Sequence, residues 1–330
     1  MLKSQTLDGL TYNLKQPGFL ATYVAARYSF DEHPAGGTPD SLKTITRDDI
    51  AAFHAGNYAP NNAVLIFAGD ITVAQAEAIA LKYFGSWNNQ YKAEDKLLSP
   101  KSPANKGALL KRILVVDLPN SGQAAVNYTK NLEDITRTKN EYYYPASVLN
   151  SLLGGGYSSR LNQEIRIKRG LSYGAGSSFA WRNWKSNFGT RTQTKNESAA
   201  EVAELVIAEI KKLTEGAIAD VELVPRKSVL TGNFGRNLET TGGLAAQIAD
   251  LYSFGISTGE LNAYMKSVQS VSDKQIRDFA STNLTGGDII IVGDYAKFKD
   301  DLAKRFPGLT VEVIKAADLD LSKSNLRKSN

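Results

Sequence analysis

Two donor side chains that have no need to titrate stand seven residues apart in the middle of this 330-residue chain: Arg166 and Tyr173, within QEIRIKRGLSYGAG (163–176). A guanidinium and a phenol both donate hydrogen bonds at neutral pH. Converging on one oxygen, they could hold a peptide carbonyl or stabilise a developing oxyanion. Arg166 belongs to the one dense basic stretch of the sequence, with Lys168 and Arg169. Cations also collect at helix C-termini because the macrodipole favours them there, so the cluster by itself admits a structural reading as well as a functional one.

Other chemistry has less material. The glycine run Gly154, Gly155, Gly156 in LGGGYSSR (153–160) invites a phosphate-cradle reading. It follows a helical pattern rather than a strand and lacks the Gly-Lys-Ser/Thr of a P-loop, so it reads instead as a C-cap and tight connection between two helices. The chain has no cysteine and two histidines, His33 and His54. That excludes a disulfide framework, a Cys-ligated metal and a Cys nucleophile, and the histidines are not spaced as a metal pair. No Gly-x-Ser-x-Gly elbow is present, and without a histidine partner a serine triad has no base.

The elements that must position Arg166 and Tyr173 follow from periodicity. The spacing predicts strands over 111–119 and 123–130, a glycine-closed helix over 141–154 and a second helix over 158–170, with Ser158 or Ser159 as N-cap and Gly170 just past its end. Strands over 172–182 and 187–195 read as a pair. The segment 197–216 is an amphipathic helix with Val202, Leu205, Val206, Ile210 and Leu213 on one stripe. Helices over 222–238, 242–254 and 272–283, a strand over 288–293 and a helix over 295–306 complete the run. Hairpin-joined strands with grouped helices indicate an α+β class rather than βαβ alternation.

The chain also repeats itself. GFLATYVAARYSF (18–30) matches GGLAAQIADLYSF (242–254) at an offset of 224 residues. In the same order, 41–58 matches 267–284, AVLIFAGD (63–70) matches DIIIVGD (288–294), and 82–85 matches 304–308. Four segments in register mean a duplication with a unit of about 225 residues. On this reading 1–87 is the C-terminal part of a first lobe, 88–108 a polar interlobe linker, 109–316 a second lobe and 317–330 a polar, frayed tail. The missing half of the first lobe is expected upstream of this chain.

Composition sets the outer limits. Hydrophobic residues make 42% of the chain and charged residues 22%, a globular balance. The net charge of +5 is spread along the sequence and does not make a nucleic-acid surface. No apolar run is long enough to span a membrane, and MLKSQTLDGL carries no signal-peptide core.

At this point LGGGYSSRLNQEIRIKRGLSYGAGSSF (153–179) resembles the second lobe of the M16 peptidases, the pitrilysin, insulinase and mitochondrial-processing-peptidase family, and 33–70 resembles the end of that family's first lobe. The resemblance implies duplicated α+β lobes, each an antiparallel sheet with helices packed on one face. It implies that Arg166 and Tyr173 bind substrate beside a metal, with Gly154, Gly155 and Gly156 as a supporting loop. It further implies a zinc site built from His-x-x-Glu-His and a downstream glutamate in the first lobe. The first motif is absent here, and the glutamate position falls near Asp8 and Gly9. No metal ligand is therefore assigned in this chain, which is expected to be inactive alone. Zinc is expected in a partner subunit or in a missing upstream segment.

The resemblance is to the metal-less subunit of bacterial M16 heterodimers. It implies an unfolded peptide as ligand and a zinc-bearing M16 partner, or a homodimer, in the periplasm or cell envelope, with the cytoplasm as the alternative. Substrate could add a strand to a sheet edge. A fragment of an active zinc peptidase, or a structural core-protein-like subunit, are the other readings.

Overall fold

The structure is a computed structural model that describes residues 1–90 and 110–328. From residue 91 the expected linker lies outside the described residues. The centre is one six-stranded sheet: β1 (Leu110–Asp117), β2 (Ala124–Glu133), β3 (Ala175–Ala180), β4 (Lys185–Thr194), β5 (Gly287–Gly293) and β6 (Val311–Lys315). Their order is β3-β4-β2-β5-β1-β6. The α+β class holds, but the sheet is mixed rather than antiparallel: β1 runs parallel to both β5 and β6, while β2, β3 and β4 pair antiparallel. The reason lies in the connections. β5 follows a run of helices and β6 follows a helix, so neither is returned by a tight hairpin.

Nor are helices confined to one face. On the near face α6 (Asn140–Leu153), α7 (Ala199–Glu215) and α11 (Asp273–Asn283) bury their apolar stripes against Ile113, Val115, Val126, Phe188, Ile289 and Ile291. Helices α8 (Asp220–Leu238), α9 (Thr241–Ser253) and α10 (Glu260–Ser270) extend outward from α6, and α12 (Lys299–Arg305) adjoins α7. On the far face the N-terminal helix α2 (Pro17–Tyr28) lays Leu20, Ala21, Val24 and Ala25 over Leu114, Val116, Ala125, Ile290 and Val292, and Leu10 joins the same core. Pro17 begins α2 where its missing N–H costs nothing. Both faces of β1 and β5 are thus covered, which is why Ile113–Val116 and Ile289–Val292 are unbroken apolar runs with every side chain inaccessible.

The other N-terminal helices are α1 (Leu2–Asn13), α3 (Pro39–Thr44), α4 (Arg47–Asn57) and α5 (Val73–Phe84). The matched segments 41–58 and 267–284 carry similar caps. Thr46 and Asp49 form a reciprocal capping box on α4, and Ser272 and Gln275 form one on its repeat α11. The environments differ: α11 buries Ile276, Phe279 and Ala280, whereas α4 and α5 bury no residue. The segment 63–70, which matches the β5 region, has no ladder partner among the described residues, and Val64, Leu65 and Phe67 are exposed. A strand exists by pairing. Its repeat β5 lies between β1 and β2, but 63–70 has no such neighbours.

The tail corrects another expectation. Leu321 and Leu326 are buried in the far-face core, an isolated bridge joins Leu319 to Arg327, and Arg27 donates from Nη2 to the Ser322 carbonyl at 3.1 Å. Leu321 and Leu326, with Leu319 packed partly against the same core, dock the segment at about 1.5–3 kcal/mol per buried side chain. Among the described residues no helix is long and apolar enough to cross a membrane.

Candidate functional site

The site is assembled at the β3 edge of the sheet. α6 ends at Leu153, and the glycine run turns the chain back along β3. Gly154 accepts the Ser177 N–H at 3.1 Å, an approach so close that a Cβ on Gly154 would collide with the Ser177 backbone nitrogen. A Cβ on Gly155 would lie 2.8 Å from the Asn150 carbonyl oxygen, whereas Gly156 has open space around it. Gly154 and Gly155 therefore serve close backbone approach, as the connection reading expects. Buried Asn162 ties the pieces together: its Nδ2 donates to the Tyr157 carbonyl at 2.5 Å and its Oδ1 accepts the Ala175 N–H at 3.4 Å.

These bonds bear on how a peptide could approach. The outward N–H groups of Ala175 and Ser177 are already taken by Asn162 and Gly154. Along that stretch β3 offers no free edge for a further strand.

The second expected helix is a π-helix over Asn162–Lys168, a widened turn of a kind often found at functional sites. Ile165 anchors it in the core, and Gly170 ends it with a left-handed φ of 64°. Here the basic cluster divides. Lys168 and Arg169 both pair with Glu164, and Arg169 also lies 3.8 Å from Glu201. The hydrogen bond from Lys168, then that from Arg169, holds the Glu164 carboxyl below its usual range. Arg166 has no carboxylate partner among the described residues. Its guanidinium sits over the Tyr157 ring, 4.9 Å from the centroid.

Tyr173 stands at the tip of the next turn, closed by Ser172, whose Oγ receives the Gly174 N–H at 3.1 Å. Its side chain is 91% exposed and makes no hydrogen bond among the described residues. Arg166 and Tyr173 line two adjoining hollows, of about 560 and 380 Å³, that share Gly174 and Arg191. The structure thus brings them to one corner of the sheet without contact between them, open to a ligand reaching both.

A third hollow of about 560 Å³ continues from that corner along the far face, between α2 and the part of the sheet that α2 leaves uncovered. Asn127, Gly189 and Arg191 form its floor, with Tyr23 and Ala26 on its wall. The loop 31–37 closes its end. Glu32 fixes that loop by ion pairs to Arg182 at 2.8 Å and Lys185 at 3.1 Å and a bond from Asn187 at 3.3 Å. Sequence reasoning missed Asn127, Tyr157 and Arg191. Asn127 and Arg191 carry no motif and meet only through strand register, while Tyr157 lies within the glycine stretch 153–160 without being singled out.

His33 is an exposed residue of that loop, and His54 is exposed on α4, stacked on Tyr58 at 4.8 Å. Asp8 lies on the exposed side of α1, accepting from Ser4 at 3.4 Å, beside Gly9 with nothing around it. Among the described residues no three His, Cys, Asp or Glu side chains gather to hold a metal ion. These residues do not fit a zinc site.

Comparison with known proteins identifies the family. The family model described as the peptidase M16 inactive domain matches residues 44–228. The chain is 26% identical over 246 residues to an uncharacterized zinc protease of Streptomyces coelicolor, covering 73% of this chain and 53% of that protein. It is 24% identical over 323 residues to the non-peptidase homolog YmxG of Helicobacter pylori, covering 91% and 68%. The crystal structure of a peptidase M16 inactive domain from Pseudomonas fluorescens superposes with a TM-score of 0.78 at 26% identity, covering 88% of this chain and 69% of that one. The chain therefore spans about half the length of the Streptomyces relative.

Proposed function

Since this chain belongs to the M16 peptidase family, in the region described as its inactive domain, we propose that it is a non-catalytic subunit that grips an unfolded peptide and lends Arg166 and Tyr173 to an active site completed elsewhere. The metal of that site would be held by a zinc-bearing partner or by a further segment of the same protein. The observation that carries this reading is the division of the basic cluster: Lys168 and Arg169 are engaged by Glu164, while Arg166 faces an open hollow with no carboxylate partner among the described residues. A guanidinium so placed keeps its donors for a ligand oxygen, and the exposed Tyr173 phenol adds a second donor from the adjoining hollow. The residues act by binding and orienting a carbonyl, and neither needs to exchange a proton.

Because β3 is capped at Ala175 and Ser177, the peptide lies over the rim and far face rather than extending the sheet there. We place the protein in the bacterial periplasm or envelope, which fractionation would check.

The test is made on the complex as it is purified from its native source, with an unfolded, quenched-fluorescence peptide as substrate. Arg166→Ala and Tyr173→Phe should each lower cleavage by about 10²–10³-fold, as expected for loss of a transition-state donor. Unchanged cleavage in both variants would refute the role. A second reading, that the chain is part of an active zinc peptidase, is favoured by the Streptomyces relative being called a zinc protease and being about twice as long as the matched region. Intact mass separates the two: one long chain with its own zinc motif supports the second reading, and two M16 chains support the first.

A further inference from the structure

Arg191 is the side chain common to all three hollows of the site. It rises from β4 opposite Gly176 of β3, so its cross-strand neighbour leaves it space. Its flanking residues Thr190 and Thr192 point to the opposite face and are buried, which directs Arg191 to the far face by the alternation of the strand. It is exposed and has neither an ion pair nor a hydrogen bond among the described residues. Glu32 is the one carboxylate that lines any of the three hollows, and Arg182 and Lys185 already engage it. Arg166 lines one of the same hollows, also without a carboxylate. Beside them Asn127 is only 5% exposed, lines two of the hollows, and makes no side-chain hydrogen bond among the described residues.

Two guanidiniums without an acid, next to an unpaired amide, form a corner of positive charge with donors to spare. A carboxylate is the ligand group that a guanidinium fork matches best on a peptide. We propose that Arg191, with Arg166 beside it, binds a carboxylate of the gripped peptide and makes this site select acidic ligands. The group could be the free C-terminus or a Glu or Asp side chain. This deepens the peptide-gripping reading and rests on it.

The test uses the full chain and three fluorescein-labelled, unstructured twelve-residue peptides, followed by anisotropy at low salt. The parent is uncharged and C-terminally amidated. One derivative has a free C-terminus, and the other keeps the amide but carries one central Gln→Glu change. At least one derivative should bind about five- to tenfold tighter than the parent, and the one that gains identifies the source of the carboxylate. The gain should shrink in 0.5 M NaCl as charge is screened. Arg191→Gln should abolish it, and Arg191→Lys should retain part of it, with thermal unfolding verifying that both variants are folded. If the parent binds and neither acid gains, or if the gain persists in Arg191→Gln, carboxylate selection by Arg191 is wrong while peptide gripping stands. If no peptide binds, the gripping reading itself fails and takes this one with it.

Discussion

Arg112 holds Asp288 by two parallel hydrogen bonds, Nε to Oδ1 at 2.9 Å and Nη2 to Oδ2 at 2.8 Å. The pair joins neighbouring strands β1 and β5, and it also clasps α2. Arg112 donates to the Tyr28 carbonyl at 3.1 Å and lies 3.9 Å over the Tyr28 ring, while Ser29 donates to Asp288 at 2.8 Å. Asp288 is buried, whereas Arg112 is partly open. Asp288→Ala should cost about 2–3 kcal/mol, somewhat less than a fully buried pair, read as a lower urea midpoint. Amide exchange should accelerate first in 17–28, because the C-terminus of α2 loses its anchor.

The glycine run offers a contrast within three residues. Gly154→Ala forces a Cβ onto the Ser177 backbone, which cannot move without opening the β3 edge. A loss of about 1–3 kcal/mol is expected for such overpacking. Gly156→Ala meets open space and should change the unfolding midpoint little. Equal effects of the two substitutions would contradict the close approach described for Gly154.

The pair Arg160–Glu222 ties the residues after the glycine run to α8 through two bonds of 2.7 Å. The hydrogen bond from Arg160 is the main cause of a Glu222 pKa below its ordinary value; burial opposes it. A carboxyl depressed in the folded state stabilises fully above its unfolded pKa of about 4.3 and loses that contribution as pH falls toward the folded value. Glu222→Gln should therefore cost about 1–2 kcal/mol at pH 7. The deficit should narrow once the pH drops below about 4.3, in denaturation curves recorded across that range.

Within the basic cluster, charge alone does not decide function. The double change Lys168→Ala with Arg169→Ala removes two cations already paired with Glu164. Peptide cleavage by the native complex should stay within about threefold of wild type, against the 10²–10³-fold loss expected for Arg166→Ala. A comparable loss in the double variant would mean that the cluster acts as a general positive field.

Much of this was legible because local patterns suffice for local elements. The apolar stripe of α7, the glycine closure of α6 and the Arg166–Tyr173 spacing each lie within a short stretch of chain. What was not legible depends on distant partners. The direction of β1 against β5 is set by the helices between them, and the far-face position of α2 by a surface built from strands after residue 109. One signal did exist: Ile289, Ile290, Ile291 and Val292 form an unbroken apolar run, which calls for cover on both faces. The segment 63–70 has a similar pattern, yet no described strand pairs with it, so an equal local signal gave a different outcome. Arg191 was invisible for the same reason, since its meeting with Arg166 and Asn127 exists only in the folded sheet.

The burial of α2 against strands far downstream also fixes a schedule. Leu20 and Val24 are made well before Ile290, Val292 and Ile314, which share their core. At roughly 5–20 residues per second, the apolar side of α2 waits about 15–60 s for its seat. A nascent chain holding such a helix open for that long is a client for a holding chaperone.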